Sequence, residues 1–341
     1  MNACMRAIFR YAGSGGLLAG LLVFSGCVRI PAPSAPRPPA PRPPVTRPVP
    51  PPPPPPSAPV DVVFAIQTRL DRAHFSPGGI DGRWGPKTAK ALAAWQTCHH
   101  RPATGQLDDS LIAALGDTNG ILTTCTVTAA DHAALGPHPD SWLERSRLNH
   151  MGHVTIEERI SETHHLYAGA LRRLNPKAAW PNPPPGTVLV VPDVDASRLP
   201  RLARLEIHLG RKCLRAYDTQ DRLAAQFPCS IAADKSKRPA GETLHVAVWA
   251  ENPEYTFDPD LFAEDPEAAA IGRRLRIPPG PNNPVGVAWI GLDRPGYGIH
   301  GTPQPENVSR TESHGCFRLT NWDARKLVHA VRKGLPVAVL P

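Results

Sequence analysis

The spacing of apolar residues changes character along the chain. In Val63-Phe64-Ala65-Ile66-Gln67-Thr68-Arg69-Leu70 they recur every three to four positions, which predicts an amphipathic helix. A turn-rich stretch, Pro77-Gly78-Gly79-Ile80-Asp81-Gly82-Arg83-Trp84-Gly85-Pro86, breaks that pattern. Thr88 then caps a second helix over 89–96, and Thr104-Gly105-Gln106-Leu107-Asp108 leads into a third over 110–115. Residues 156–166 and 171–175 read as two further helices, and Pro185-Gly186-Thr187 turns into a strand over 188–192. From about residue 200 the period becomes two. Strands are expected at 205–209, 213–217, 227–231, 244–249 and 287–292, with a closing helix over 323–331 and a last strand over 334–340. The pattern predicts a multidomain chain: a small all-α three-helix module, a mixed middle segment and a mainly-β, sandwich-like C-terminal domain. Residues 258–275, charged and helix-prone, are expected to cap a cleft in that last domain.

Composition adds an address. Of 43 prolines, most of those outside the domains fall in 31–59, which is polyproline II or unstructured because proline fixes φ and lacks an N–H. Fully extended, at ~3.1 Å per residue, it would reach on the order of 90 Å. Ahead of it, Arg6 and Arg10 precede the apolar run 16–24, too short to span a bilayer comfortably. Phe24-Ser25-Gly26-Cys27 resembles a bacterial lipobox, with Phe24 where leucine is more usual. That resemblance implies cleavage before Cys27, a lipid anchor on Cys27, and a periplasmic body; Val28 rather than aspartate favours the outer membrane. The expected organisation is 1–27 lipoprotein signal peptide, 28–59 linker, 60–118 first module, 126–193 connector and middle segment, and 200–341 C-terminal domain. The net charge of +8 includes several arginines in the leader and linker, and no basic stripe with interleaved aromatics is present, which argues against nucleic-acid binding.

Cysteine usage bears on the chemistry. Beyond Cys4 and Cys27 there are Cys98, Cys125, Cys213, Cys229 and Cys316. In an oxidising compartment Cys98–Cys125, within the N-terminal region, and Cys213–Cys229, across a predicted hairpin, are candidate disulfides that would leave Cys316 free. The alternative is that these cysteines are buried and reduced.

The chemistry concentrates in Tyr297-Gly298-Ile299-His300-Gly301-Thr302 and Ser313-His314-Gly315-Cys316-Phe317-Arg318-Leu319. A thiol with an imidazole partner can act as a nucleophile, and glycines beside both let backbone approach a substrate. The stretch resembles the L,D-transpeptidase (YkuD-type) motif, with the shorter loop of the ErfK/YbiS-like subgroup, and the resemblance extends over roughly the last 140 residues. It implies Cys316 as nucleophile and His300 as proton acceptor and donor, with His314 as alternative base. Gly301 would orient the base through its carbonyl, and the N–H groups of Gly315 and Cys316 would face the oxyanion. Arg318, Tyr297 and Asn282 are expected to line the substrate groove, although strand-surface packing is an equal reading for Arg318 and Tyr297. No cofactor and no metal are implied.

Two further resemblances place this chemistry at the cell wall. The 60–118 module resembles a type 1 peptidoglycan-binding domain, with Trp95 expected in its core and Trp84 as a candidate contact. Residues 156–192 resemble the later part of a LysM-like module whose leading strand is not evident; His164 and His165 read as solvated helix-end residues. Expected partners are peptidoglycan stem peptides and glycan, with an outer-membrane lipoprotein as one conceivable acyl acceptor. Three functions stand: transpeptidation, hydrolysis by the same fold (an L,D-carboxypeptidase or wall hydrolase), and non-catalytic wall binding by a lipoprotein. The intact His300/Cys316 pair argues against the third.

Overall fold

The computed structural model describes residues 60–194, 197–262, 265–310 and 315–341. The leader, Cys27 and the proline-rich linker lie outside them, as does His314.

The first module comprises α1 (Val60–Arg72), α2 (Pro86–Cys98) and α3 (Asp109–Leu115). Asp108 caps α3 by accepting from the Leu111 N–H, and Pro86 opens α2 where its missing N–H is not needed. Trp95 is buried in this core as expected, with Trp84 packed at its edge. Next come β1 (Leu122–Thr126), α4 (Ala129–Ala133), α5 (Trp142–Arg145), α6 (Ile156–Thr163), α7 (Ala168–Leu174) and β2 (Val188–Pro192). β1 pairs antiparallel with β2, giving the middle segment a two-stranded sheet whose first strand, 122–126, was not expected from sequence. Its Leu-Thr-Thr-Cys-Thr sequence hid it, because three of its first four residues face solvent and no apolar alternation is required.

The C-terminal domain contributes β3 (Leu202–His208), β4 (Cys213–Asp218), β5 (Leu223–Pro228), β6 (Thr243–Glu251), β7 (Tyr255–Phe257), α8 (Pro266–Ile271), β8 (Leu275–Ile277), β9 (Ala288–Leu292), β10 (Gly298–His300), β11 (Phe317–Arg318), α9 (Asn321–Val328) and β12 (Pro336–Leu340). Eight strands form one sheet in the order β11-β10-β9-β6-β12-β3-β4-β5. The expected two layers are halves of this single sheet. It curls until its ends meet: Ser230, just past β5, exchanges both backbone hydrogen bonds with Arg318 of β11, at 2.9 and 3.0 Å. Leu205, Ile207, Leu214, Phe227, Ile299, Phe317 and Val337 fill the interior. In the segment expected to be a cap, a β7–β8 hairpin packs with α8 around its own small apolar cluster.

The modules do not sit apart. The segment after α1 is joined to β5 through backbone bonds from Ser76 N–H to the Gln226 carbonyl (2.9 Å) and from Gln226 N–H to the His74 carbonyl (3.0 Å). This covers the sheet's outer strand, which would otherwise offer unpaired groups to another chain. Leu223 and Tyr217 pack into the core of the first module, and Phe64 and Ile80 into that of the β1–β2 segment. Trp142 stacks on Phe257 of the cap at 4.5 Å, and its Nε1–H donates to Asp265.

Neither expected disulfide is present; Cys98, Cys125, Cys213 and Cys229 are all thiols. Cys98 packs beside the first module's core, whereas Cys125 packs with the β1–β2 segment. In the hairpin, Cys213 pairs with Pro228 rather than Cys229, and the Cys229 N–H bonds the Lys212 carbonyl. A one-residue offset sends adjacent side chains to opposite faces, so Cys229 enters the sheet interior while Cys213 stays outside it. Counting cysteines therefore does not single out Cys316. His165 is not solvated either. It is buried with φ of 55°, and its Nδ1 lies 2.8 Å from Asp71, which also receives Lys326 at 2.8 Å.

Candidate active site

β10 and β11 run parallel, pairing Ile299 with Phe317 and His300 with Arg318. Ile299 and Phe317 point inward and are fully buried, contributing roughly 1.5–3 kcal/mol each by leaving water. Alternation therefore puts His300, Cys316 and Arg318 together on the other face. The same register carried back one residue sets Cys316 beside Gly298, whose N–H faces the thiol. Cys316 is half-buried, and its Sγ lies 3.5 Å from the Gly296 carbonyl. Burial pushes the thiol above its ordinary pKa, opposed by the Gly298 N–H and the Arg318 charge.

His300 is buried, with its Nδ1 2.6 Å from the Gly301 carbonyl. A carbonyl only accepts, so Nδ1 carries the proton and Nε2 is left as the basic nitrogen. Burial lowers the imidazole pKa to about 4, with Arg318 adding to the effect and the Gly301 hydrogen bond opposing it. The Gly301 carbonyl is thus placed to hold the imidazole in this tautomer. Burial therefore favours the uncharged form of both groups, which share one face of the β10–β11 pair.

Glycines at this site are dictated by close packing. A Cβ on Gly298 would lie 2.4 Å from the Trp289 ring, which stacks on His300 at 5.8 Å. A Cβ on Gly301 would lie 2.3 Å from Asn321 Oδ1. Asn321 is fully buried; its Nδ2 donates to Glu162 Oε2 (2.8 Å) and to the Pro281 carbonyl (3.0 Å), and its Oδ1 accepts from the Val287 N–H (3.2 Å). A carboxylate of α6 thereby braces the backbone that orients His300. Trp289, Asn321 and Glu162 were not found from sequence. Thr320, whose hydroxyl accepts from the Asp323 N–H, was the available signal that α9 starts at Asn321.

The side chains of two expected groove residues are engaged in contacts of their own. Asn282 is buried, bonding the Gly152 carbonyl at 2.9 Å through Nδ2 and the Met151 carbonyl at 3.0 Å through its N–H; it anchors the connector instead of lining a groove. Tyr297 donates its hydroxyl to the Lys237 carbonyl (3.0 Å), and Arg294 covers its ring at 4.7 Å. Arg318 remains beside Cys316, half-buried. Among the described residues a Cβ on Gly315 would meet nothing within 4 Å. Among the described residues no group of three or more histidine, cysteine or acidic side chains could hold a metal.

Residues 203–339 match the family model of the YkuD L,D-transpeptidase catalytic domain. The chain carries an L,D-transpeptidase catalytic domain. Residues 60–115 match a second model, described as "Putative peptidoglycan binding domain". Among curated proteins, "Putative L,D-transpeptidase YkuD" of Bacillus licheniformis is 25% identical over 50% of this chain and 86% of its own length. "Putative L,D-transpeptidase YqjB" of Bacillus subtilis is 35% identical over 32% of this chain and 57% of its own length. Among solved structures, the L,D-transpeptidase from Xylanimonas cellulosilytica is 15% identical, covering 86% of this chain and 98% of that one with a TM-score of 0.34. The L,D-transpeptidase matches place the chain among transpeptidase enzymes and put their catalytic domain over the His300/Cys316 face.

Proposed function

We propose that the protein is a cell-wall L,D-transpeptidase in which Cys316 is the acyl-accepting nucleophile and His300 its base. The observation that carries this reading is the His300 tautomer: with Nδ1–H held by Gly301, Nε2 is the only ring position that can take the thiol proton, on the face that carries Cys316. As Sγ attacks the carbonyl of the L-centre of a donor tetrapeptide stem, its proton passes to Nε2 and the carbonyl oxygen takes up negative charge near Gly315 and Cys316. Collapse breaks the C–N bond, and His300 returns the proton to the departing terminal D-residue. An acceptor amine then attacks the thioester, giving up a proton to Nε2 of His300 that is passed to the departing Cys316 sulfur, and the new amide is either a 3→3 wall crosslink or a wall-attached protein. Water in place of the amine gives tripeptide.

The leader and lipobox support placing this chemistry in the periplasm on a lipid anchor at Cys27, with the 28–59 linker as spacer and the 60–115 module holding the wall. To test the reading, the protein is incubated with tetrapeptide-bearing wall fragments and the products are analysed by mass spectrometry. Crosslinked or protein-linked products, absent with Cys316→Ala, are expected. Tripeptides alone point to hydrolysis, and turnover by Cys316→Ala rules out the proposed nucleophile.

A further inference from the structure

A cavity of about 190 Å³ lies where the first module meets the loop that runs from His300 to Cys316. Asp81, Arg83, Lys87 and Lys90 line it from the turn and from α2, Tyr167 from the start of α7, and Arg310 from the catalytic loop, six residues before Cys316 in the chain. The site is built rather than incidental. A Cβ on Gly79 would lie 2.3 Å from the Tyr167 ring, so glycine is needed there for the ring to take its place. The Tyr167 hydroxyl accepts from Lys87 Nζ at 2.8 Å. Ser309, at φ of 65°, fixes the backbone under Arg310: its N–H bonds Ser230 Oγ (2.9 Å) and its hydroxyl the Lys212 carbonyl (3.0 Å).

The charge here is unbalanced. Four cations face one carboxylate, and Asp81 Oδ1 already accepts from Gln67 Nε2 (3.0 Å) and the Arg83 N–H (2.9 Å). Lys90 is directed to the Arg211 carbonyl at 2.7 Å. Lys87 and Arg310 line the same cavity, and burial first and the Arg310 charge second bring the Lys87 ammonium down to about 8 against the opposing pull of Asp323, Asp81 and Glu306. Two like charges lining one cavity, one of them partly buried, raise each other's energy, and an anion between them lowers that penalty.

We propose that this seam binds a free carboxylate of a peptidoglycan stem peptide, clamped between Lys87 and Arg310. One ligand would then be gripped at once by the wall-binding module and by the loop that carries the nucleophile. The choice of a wall peptide rests on the function proposed above; the anion site itself rests on the cavity and its charges.

The test is lysine footprinting on the full chain. Sparing acetylation at pH 8 is read by mass spectrometry at Lys87, with exposed Lys177 as internal reference. The probes are a stem tetrapeptide with free carboxylates and the same peptide fully amidated. Only the free acid is expected to slow Lys87 acetylation, at least fivefold, and Arg310→Met is expected to abolish that protection. Calorimetry gives a reading independent of labelling: the preference for free acid over amide should fall about tenfold in Arg310→Met. Equal protection by both peptides, protection by neither, or an unchanged preference in the variant overturns the proposal. Acylation of Cys316 by a carbapenem, measured in the same samples, separates the two claims. Protection without acylation defeats the catalytic reading alone, and acylation without protection defeats the seam alone.

Discussion

Lowering the pH should leave the reactivity of Cys316 intact well below the range in which an ordinary histidine base fails. His300 is buried against Trp289 and donates through Nδ1, and its pKa lies near 4 instead of 6.5. A displacement of that size corresponds to about 3 kcal/mol against the imidazolium. Because the pKa is depressed, the basic form persists as pH falls and is lost only near 4. At pH 5.5 an ordinary imidazole would be about 9% neutral, whereas His300 would be about 97% neutral. Burial raises the Cys316 thiol and favours its protonated form, so on the mechanism proposed above attack would require proton transfer to Nε2 and not a preformed thiolate. The assay is the second-order rate of Cys316 acylation by a carbapenem, followed by intact mass from pH 4 to 8. The rate should be flat within about twofold from pH 5 to 8, with an acid limb near 4. Alkylation by iodoacetamide, which reports thiolate alone, should instead climb with pH past 8. A tenfold fall in acylation between pH 7 and 5.5 would refute the buried-base argument, and a fast, pH-independent alkylation would refute the neutral pair.

Asp323 is fully buried, with Oδ2 accepting from Ser76 Oγ at 2.8 Å and Oδ1 without a partner; burial raises its pKa to about 7. Its stabilising protonated form is lost as pH rises, so the advantage of Asp323→Asn in chemical denaturation should grow by about 2–3 kcal/mol from pH 5 to pH 8; a constant difference contradicts this. Asn321→Ala leaves the Val287 N–H and a Glu162 oxygen unpaired, and should cost about 3 kcal/mol together with most of the acylation rate, measured on the same preparation. Under non-reducing denaturing conditions Cys98, Cys125, Cys213 and Cys229 should all alkylate, and peptide mapping that finds a disulfide among them would contradict the register assignment.

What could be read from sequence is what is local. Helix periods, the glycine turns and the two halves of the reactive stretch depend on neighbours a few residues apart, and the carbonyl of Gly301 is adjacent to the imidazole it orients. What failed depended on partners far along the chain. Asn282 looked like a groove residue, but its partner is Gly152, 130 positions away; His165 looked solvated, but it meets Asp71, 94 positions away. The disulfide expectation failed on register, since Cys213 and Cys229 lie on paired strands yet one residue out of step. Nothing in the composition of a hairpin reveals a one-residue offset when both strand faces are covered.

The distant contacts share a pattern. Glu162 from α6 holds Asn321 behind the His300 loop; Asp71 and Ser76 meet Lys326 and Asp323 of α9; Trp142 from α5 stacks on the cap. Each is made by a segment ahead of the catalytic domain to an element beside the reactive strands. Buried polar contacts of this kind stabilise only while every partner is satisfied, so shifting one module would expose unpaired groups in the other. The first module is therefore part of the catalytic body and not a separate bead. It follows that the separation between its turn at 77–86 and the thiol at 316 is set by packing, and that linker length, which lies ahead of residue 60, has no bearing on it. On the anion site proposed above, a wall peptide held at that turn would meet Cys316 at a fixed offset, and the seam between the two would take part in the choice of peptide.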